Sequence, residues 1–125
     1  MYNVLICGDR YWNDKELLSQ HLNRFVNTST LFISGGCSGA DLLAEKYANE
    51  YNIPIKVYYA NWSKYGRAAG PIRNDEMLKE NPNLVIAFHS HLEQSKGTAD
   101  TIKKALAKNI PVWLVVSKDK ALWVK

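Results

Sequence analysis

Four short segments of this sequence gather the residue types that can do chemistry. Gly8-Asp9-Arg10-Tyr11-Trp12 sets a glycine, an arginine and two aromatic rings side by side. Gly35-Gly36-Cys37-Ser38-Gly39-Ala40-Asp41 is a glycine-rich loop running into a helical pattern. Trp62 and Tyr65 lead to Gly66-Arg67 and on to Pro71-Ile72-Arg73-Asn74. Ser95-Lys96-Gly97-Thr98-Ala99-Asp100 closes the set. Glycines let a backbone approach a phosphate with no Cβ in the way. A helix starting near Ser38 would point its first N–H groups, and the positive end of its dipole, at the same anion. Ser38 would either cap that helix or donate to the phosphate. Ser95-Lys96-Gly97-Thr98 repeats the arrangement, with a lysine charge and a threonine hydroxyl added. A tight turn and a capped helix account for one such loop. Two at neighbouring strand ends point to an anionic ligand.

Arg10 and Arg73 are the forked donors available to a phosphate or carboxylate. Arg73 falls in the first turn of its expected helix, where a cation opposes the dipole unless it faces an anion. The glycine loop is not a Walker A motif, because no Gly-Lys-Ser/Thr follows it, nor does it have the GxGxxG spacing of a dinucleotide fingerprint. Tyr11, Trp12, Trp62 and Tyr65 lie outside the periodic core faces and offer platforms for a base, or anchors for loops and subunit contacts. His89 and His91 alternate without an accompanying carboxylate or cysteine cluster, so no metal is expected and no cofactor either. Asp41, Asp75, Asp100 and Glu93 are the carboxylates in reach, and no triad spacing stands out.

The elements that must position these groups follow from hydrophobic periodicity. Near-continuous apolar runs at Tyr2–Cys7, Leu31–Ser34, Ile55–Tyr59, Leu84–Phe88 and Val112–Val116 read as parallel strands covered on both faces. Helical spacing separates them. Asn13 and Glu16 are placed as N-cap and capping-box partner of a helix through Leu17, Leu18, Leu22 and Phe25. Ala40, Leu43, Ala44, Tyr47 and Ala48 mark a second helix. A third starts near Pro71, and a fourth carries Ile102, Ala105 and Leu106. Asn52-Ile53-Pro54-Ile55 and Asn109-Ile110-Pro111-Val112 end two helices in the same way, each launching a strand. The alternation predicts one α/β domain over residues 1–125, a single Rossmann-like domain with about a five-stranded parallel sheet flanked by helices. Ala121-Leu122-Trp123-Val124 would add an edge strand or pack on a partner. In such a sheet the ligand crevice lies at the carboxyl ends of the strands, where all four segments fall.

Composition sets the outer limits. The 125 residues are 46% hydrophobic and 22% charged, with a net charge of +4 spread along the chain. That profile fits a globular protein with its own core and gives no basic stripe for nucleic acid, so nucleic acid is an unlikely partner. No apolar run approaches a membrane span, no signal-peptide pattern opens the chain, and two cysteines without CxxC spacing fit a reducing cytoplasm.

The four segments, in this order, resemble the YspA-like branch of the SLOG superfamily, and the likeness runs along nearly the whole chain. The resemblance implies a Rossmann-like fold that binds nucleotides or nucleotide-derived molecules, often as a homo-oligomer, in proteins common in bacteria and their phages. On it, Gly8, Arg10, Trp12, Gly35, Gly36, Ser38, Gly39, Asp41, Trp62, Arg73, Asn74, Lys96, Gly97 and Thr98 become the expected ligand-binding set. LOG-type phosphoribohydrolases of the superfamily cleave the base from a nucleoside 5′-monophosphate, using an Arg-Lys helix start and a glutamate after Gly-Gly-x-Gly-Thr. Arg73 matches that arginine, but Asn74 stands for the lysine. Gly97-Thr98 matches the Gly-Thr, but Thr101 stands where the glutamate would be, with Asp100 one residue early. Losing that carboxylate matters for an oxocarbenium-like transition state. The expectation is therefore a non-catalytic binder that senses or sequesters a nucleotide-derived signal. The alternative is an N-glycosidase working through Arg73 with Asp100, Glu93 or Asp41. A DNA-binding role is the weakest reading.

Overall fold

The computed structural model describes Met1–Lys125 and folds around one six-stranded sheet. The strands are β1 (Tyr2–Gly8), β2 (Thr30–Ser34), β3 (Ile55–Val57), β4 (Leu84–Phe88), β5 (Val112–Ser117) and β6 (Lys120–Trp123). Their order is β3-β2-β1-β4-β5-β6, with β1 to β5 parallel and β6 antiparallel to β5. The expected five-stranded parallel sheet is present. The tail adds the sixth strand, pairing Trp123 with Trp113 and Leu122 with Leu114. Strand order reverses between β1 and β4, which puts the ligand crevice of a doubly wound sheet at their carboxyl ends.

Five helices join the strands: α1 (Lys15–Phe25), α2 (Ala40–Glu50), the short α3 (Trp62–Tyr65), α4 (Ala69–Leu78) and α5 (Gly97–Ala107). Two core layers result from the two-residue period of the strands. Val4, Ile6, Phe32, Ile86 and Phe88 face α1 and α2 and share a core with Leu18, Leu22, Ala44 and Tyr47. Leu5, Cys7, Ile33, Val85 and Ala87 face α4 and α5 and pack with Met77, Leu78, Ile102 and Ala105.

Local details refine the expectations. Asn52 and Asn109 both have positive φ, 56° and 60°. The amides that follow reach back to close the helix, Ile53 N–H to the Ala48 carbonyl at 2.8 Å and Ile110 N–H to the Ala105 carbonyl at 3.0 Å. The N-cap of α1 is Asp14 rather than Asn13. Asp14 Oδ1 accepts from the Leu17 N–H at 3.0 Å, and no Glu16 capping box forms. The shift follows from Trp12, whose burial and indole bond to the Asp14 carbonyl pull the loop one residue further before the helix starts. Pro71 is the third residue of α4, not the first, because α3 and a 3₁₀ turn at Gly66–Ala68 already wind the chain. Its missing N–H still falls in the first turn, where it has no intrahelical acceptor. Arg73 consequently lies in the second turn, beyond the first-turn position expected of it.

Candidate functional site

Tight packing brings the glycine loop to the carboxyl edge of the sheet. Gly36 and Gly39 have φ of +70° and +71°, a backbone that L side chains rarely adopt. A Cβ on Gly39 would also collide with the Asp9 carbonyl oxygen. The start of α2 therefore presses directly on the β1–α1 loop. Two bonds hold this contact, from the Ala40 N–H to the Asp9 carbonyl at 3.1 Å and from the Ser38 hydroxyl to the Arg10 carbonyl at 3.2 Å. Ser38 thus neither caps α2 nor stands free for a phosphate. It ties two of the four segments together. At Gly8, a Cβ would meet the Phe88 carbonyl at 2.5 Å, so β1 and β4 end in close contact.

The amides of the loop are unevenly used. Cys37 N–H donates to Asp41 Oδ2 at 3.2 Å, and Ala40 N–H is taken by Asp9. The N–H groups of Gly36, Ser38, Gly39, Asp41 and Leu42 have no acceptor within the protein. Unpaired amides at a glycine turn and at the first turn of an 11-residue helix are the kind of donors that suit an anion. The second loop differs. Ser95 Oγ accepts from both Thr98 N–H at 3.1 Å and Ala99 N–H at 3.2 Å. The donors a phosphate would need at the start of α5 are already capped by the protein's own serine. Lys96 and Gly97 line the same turn, and Thr98 is buried.

Arg73 is 8% exposed and directed inward. Its Nη1 donates to the Gly35 carbonyl at 2.5 Å, and its Nε to Asn74 Oδ1 at 3.0 Å. Asn74 Nδ2 in turn donates to Asp100 Oδ2 at 3.0 Å and to the Gly97 carbonyl at 3.4 Å. Lys104 closes the chain with contacts of 2.9 Å to both Asp100 and Asp75. Arg73, expected as a ligand, is thus also the strut between the glycine loop and α4. Asp100 is spent on Asn74 and Lys104. Thr101 Oγ1 donates to the Gly97 carbonyl at 3.2 Å, as a buried helical threonine does.

Asp41 is 5% exposed, and its Oδ1 has no hydrogen-bond partner. Burial raises its carboxyl from 3.8 to about 6, against the lowering effects of the Cys37 N–H and the Arg73 charge. Cys7 is buried as well, and burial with the Asp41 charge pushes its thiol far above the usual range. Cys37, which sequence reasoning passed over, is wired into the same group. Its Sγ lies 3.6 Å from Arg73 Nη1.

The aromatics divide. Trp12, expected as a loop platform, is 8% exposed and packs on Phe88 at 5.6 Å between ring centroids. It belongs to the core, and its remaining edge lines a crevice of about 300 Å³. That crevice lies between the β1–α1 loop and the ends of β4 and β5, with Asp9, Tyr11, Asp14, Ser90 and Lys118 around it. Tyr11 and Arg10 are exposed. Trp62 and Tyr65 stand exposed on α3, away from that crevice. Tyr59 was not foreseen. Its ring lies where a Cβ on Gly36 would be, 2.5 Å away, and covers the glycine loop from the β3 side. Trp113 is 8% exposed and packs on Phe25 and Trp123, whereas Trp123, in the tail expected to pair as an edge strand or pack on a partner, stays open.

Fold and site together define a Rossmann-like α/β domain with a glycine loop of unpaired amides at the carboxyl edge of its sheet. The chain belongs to the YspA, cpYpsA-related SLOG family, whose model matches residues 2–65. A relative is the Gene 61 protein of Mycobacterium phage D29, 31% identical over 121 residues that cover 90% of this chain and 94% of that protein. No solved structure matches the chain. Membership of a SLOG family points to a nucleotide-related function. No helix is long and apolar enough to cross a membrane.

Proposed function

We propose that this protein binds a nucleotide or nucleotide-derived signalling molecule without cleaving it, with a ligand phosphate seated on the Gly35–Gly39 loop. The observation that carries this reading is the set of unpaired amides at Gly36, Ser38, Gly39, Asp41 and Leu42, against the self-capped start of α5. Sugar and base extend over the β1–α1 loop into the crevice of about 300 Å³ beside Tyr11 and Trp12. Arg10, exposed next to Ser38, supplies the mobile cation, while Arg73 keeps the loop in shape. Turnover is disfavoured because Thr101 occupies the glutamate position of the LOG-type enzymes and Asp100 is held by Asn74 and Lys104.

The protein works in the cytoplasm, where its free Cys7 and Cys37 stay reduced, and as a homo-oligomer joined through exposed aromatics such as Trp62, Tyr65 and Trp123. Light scattering at working concentration checks the latter, and a monomer contradicts it. The function is tested by thermal shift across a panel of nucleotides, followed by chromatography of the best ligand after incubation. Stabilisation with the ligand recovered intact is the expected result. Release of free base, lost in Asp41→Ala or Asp100→Ala, would establish the N-glycosidase reading instead.

A further inference from the structure

Asp41 sits inside the loop proposed to hold the ligand's phosphate, and the role inferred for it rests on that reading. Its Oδ2 accepts the Cys37 amide at 3.2 Å and lies 3.1 Å from where a Cβ on Gly35 would be. Its Oδ1 is buried with no hydrogen-bond partner. Arg73 Nη1 lies 2.7 Å from the same Gly35 position, so carboxyl and guanidinium flank the loop together. Yet Arg73 makes no ion pair with Asp41 and gives Nη1 to the Gly35 carbonyl and Nε to Asn74. The other groups facing Asp41 are the Cys7 thiol from β1, the Cys37 thiol from the loop and Glu45 one turn along α2. None of them neutralises it.

An anion bound on the neighbouring amides would add a second negative charge next to a desolvated carboxylate. A desolvated carboxylate facing a second negative charge is relieved by taking up a proton. We propose that the glycine loop takes up its anion together with a proton on Asp41, which makes Asp41 the residue that sets the charge the loop accepts. One proton moves from solvent to a carboxylate oxygen as the anion enters and returns as it leaves, with no other bond changed. Protonation also turns the unpartnered oxygen from an orphaned acceptor into a donor. Burial already brings the carboxyl to about 6, within reach of such a change at neutral pH.

The test uses the full chain labelled with ¹⁵N and inorganic sulfate as probe, because sulfate keeps its charge over the working pH range. Sulfate is titrated at fixed ionic strength at about pH 5 and about pH 8, reading the amide shifts of Gly36, Ser38, Gly39 and Leu42. The expected result is binding about tenfold or more tighter at the lower pH in the wild type. Asp41→Asn should bind at the higher pH as tightly as the wild type does at the lower, with the pH dependence gone. Asp41→Ser serves the same purpose if the asparagine variant does not fold. Equal sulfate affinity at both pH values in the wild type overturns the proposal, as does a pH dependence that survives in the variant. Loss of sulfate binding in the folded variants overturns it too, because the carboxyl would then be needed in its charged form. Amides that shift in neither protein at either pH remove the phosphate-loop reading itself, a result distinct from the others.

Discussion

Burying Asp41 at 5% exposure costs the folded state whenever its carboxyl is ionised. The raised value means that the folded protein holds a proton there between 3.8 and about 6, where the unfolded chain has already released it. Stability therefore falls as pH rises through that window, and above it the full cost remains. The rise from 3.8 to about 6 corresponds to about 3 kcal/mol. Asp41→Asn, which keeps an acceptor for the Cys37 amide, should gain up to that amount at neutral pH and lose the dependence. Urea unfolding at about pH 5 and about pH 8 measures it, and parallel pH profiles for both proteins would refute the assignment. The glycines offer a second contrast. Gly39→Ala forces a side chain to φ +71° and against the Asp9 carbonyl, and should cost about 3 kcal/mol or more. Gly97→Ala meets nothing within 4 Å and replaces a glycine at a helix start, so thermal melting should show no loss. The glycines, Arg73 and Asp41 were legible as a group from their types and spacing. The partners of Arg73 were not, because an inward arginine and an outward one have the same sequence, and only packing between α4 and the loop decides.

The strand and helix pattern was the most readable level. Near-continuous apolar runs and two Asn-Ile-Pro junctions gave all five parallel strands, since left-handed asparagine and proline act locally whatever the tertiary context. Readings that depended on a neighbouring element shifted. Asp14 displaced Asn13 as cap once Trp12 was buried, and β3 stops at Val57, two residues short of the expected Tyr59, with the Tyr58 N–H still bonded to the Ser34 carbonyl at 2.8 Å. The tail was ambiguous because an edge strand and a partner contact need the same apolar residues. As β6 it covers the β5 edge, with Trp123 packed edge-on against Trp113 at 4.9 Å and Phe25 at 5.9 Å. Ending the chain after Ser117 should expose that edge and the Trp113 ring, lowering the melting temperature and promoting association. Scanning calorimetry and turbidity report both effects, and a truncated chain that melts like the intact one would show β6 to be dispensable.

At the scale of the molecule, the two halves of the sheet contribute unequally. The β1 and β2 side supplies the loop with unpaired amides and its glycine turns, while the crevice opens between the β1–α1 loop and the ends of β4 and β5. The β4 side supplies a capped helix and the Asn74–Asp100–Lys104 chain that braces Arg73. That division is what supports the proposal that the protein holds a phosphorylated ligand and does not break it. It was only half visible in the sequence, where both glycine segments looked alike and the second offered Lys96 and Thr98 as ligand contacts. The most direct measurement is mass spectrometry of the small molecules released when the purified protein is heat-denatured. The account predicts an intact nucleotide or nucleotide-derived molecule in near-stoichiometric amount, reduced in Gly39→Ala protein that remains folded. Recovery of free base with ribose phosphate would contradict the binding reading. Recovery of nothing, with no thermal shift from any nucleotide, would contradict the central claim that the Gly35–Gly39 loop is a phosphate site.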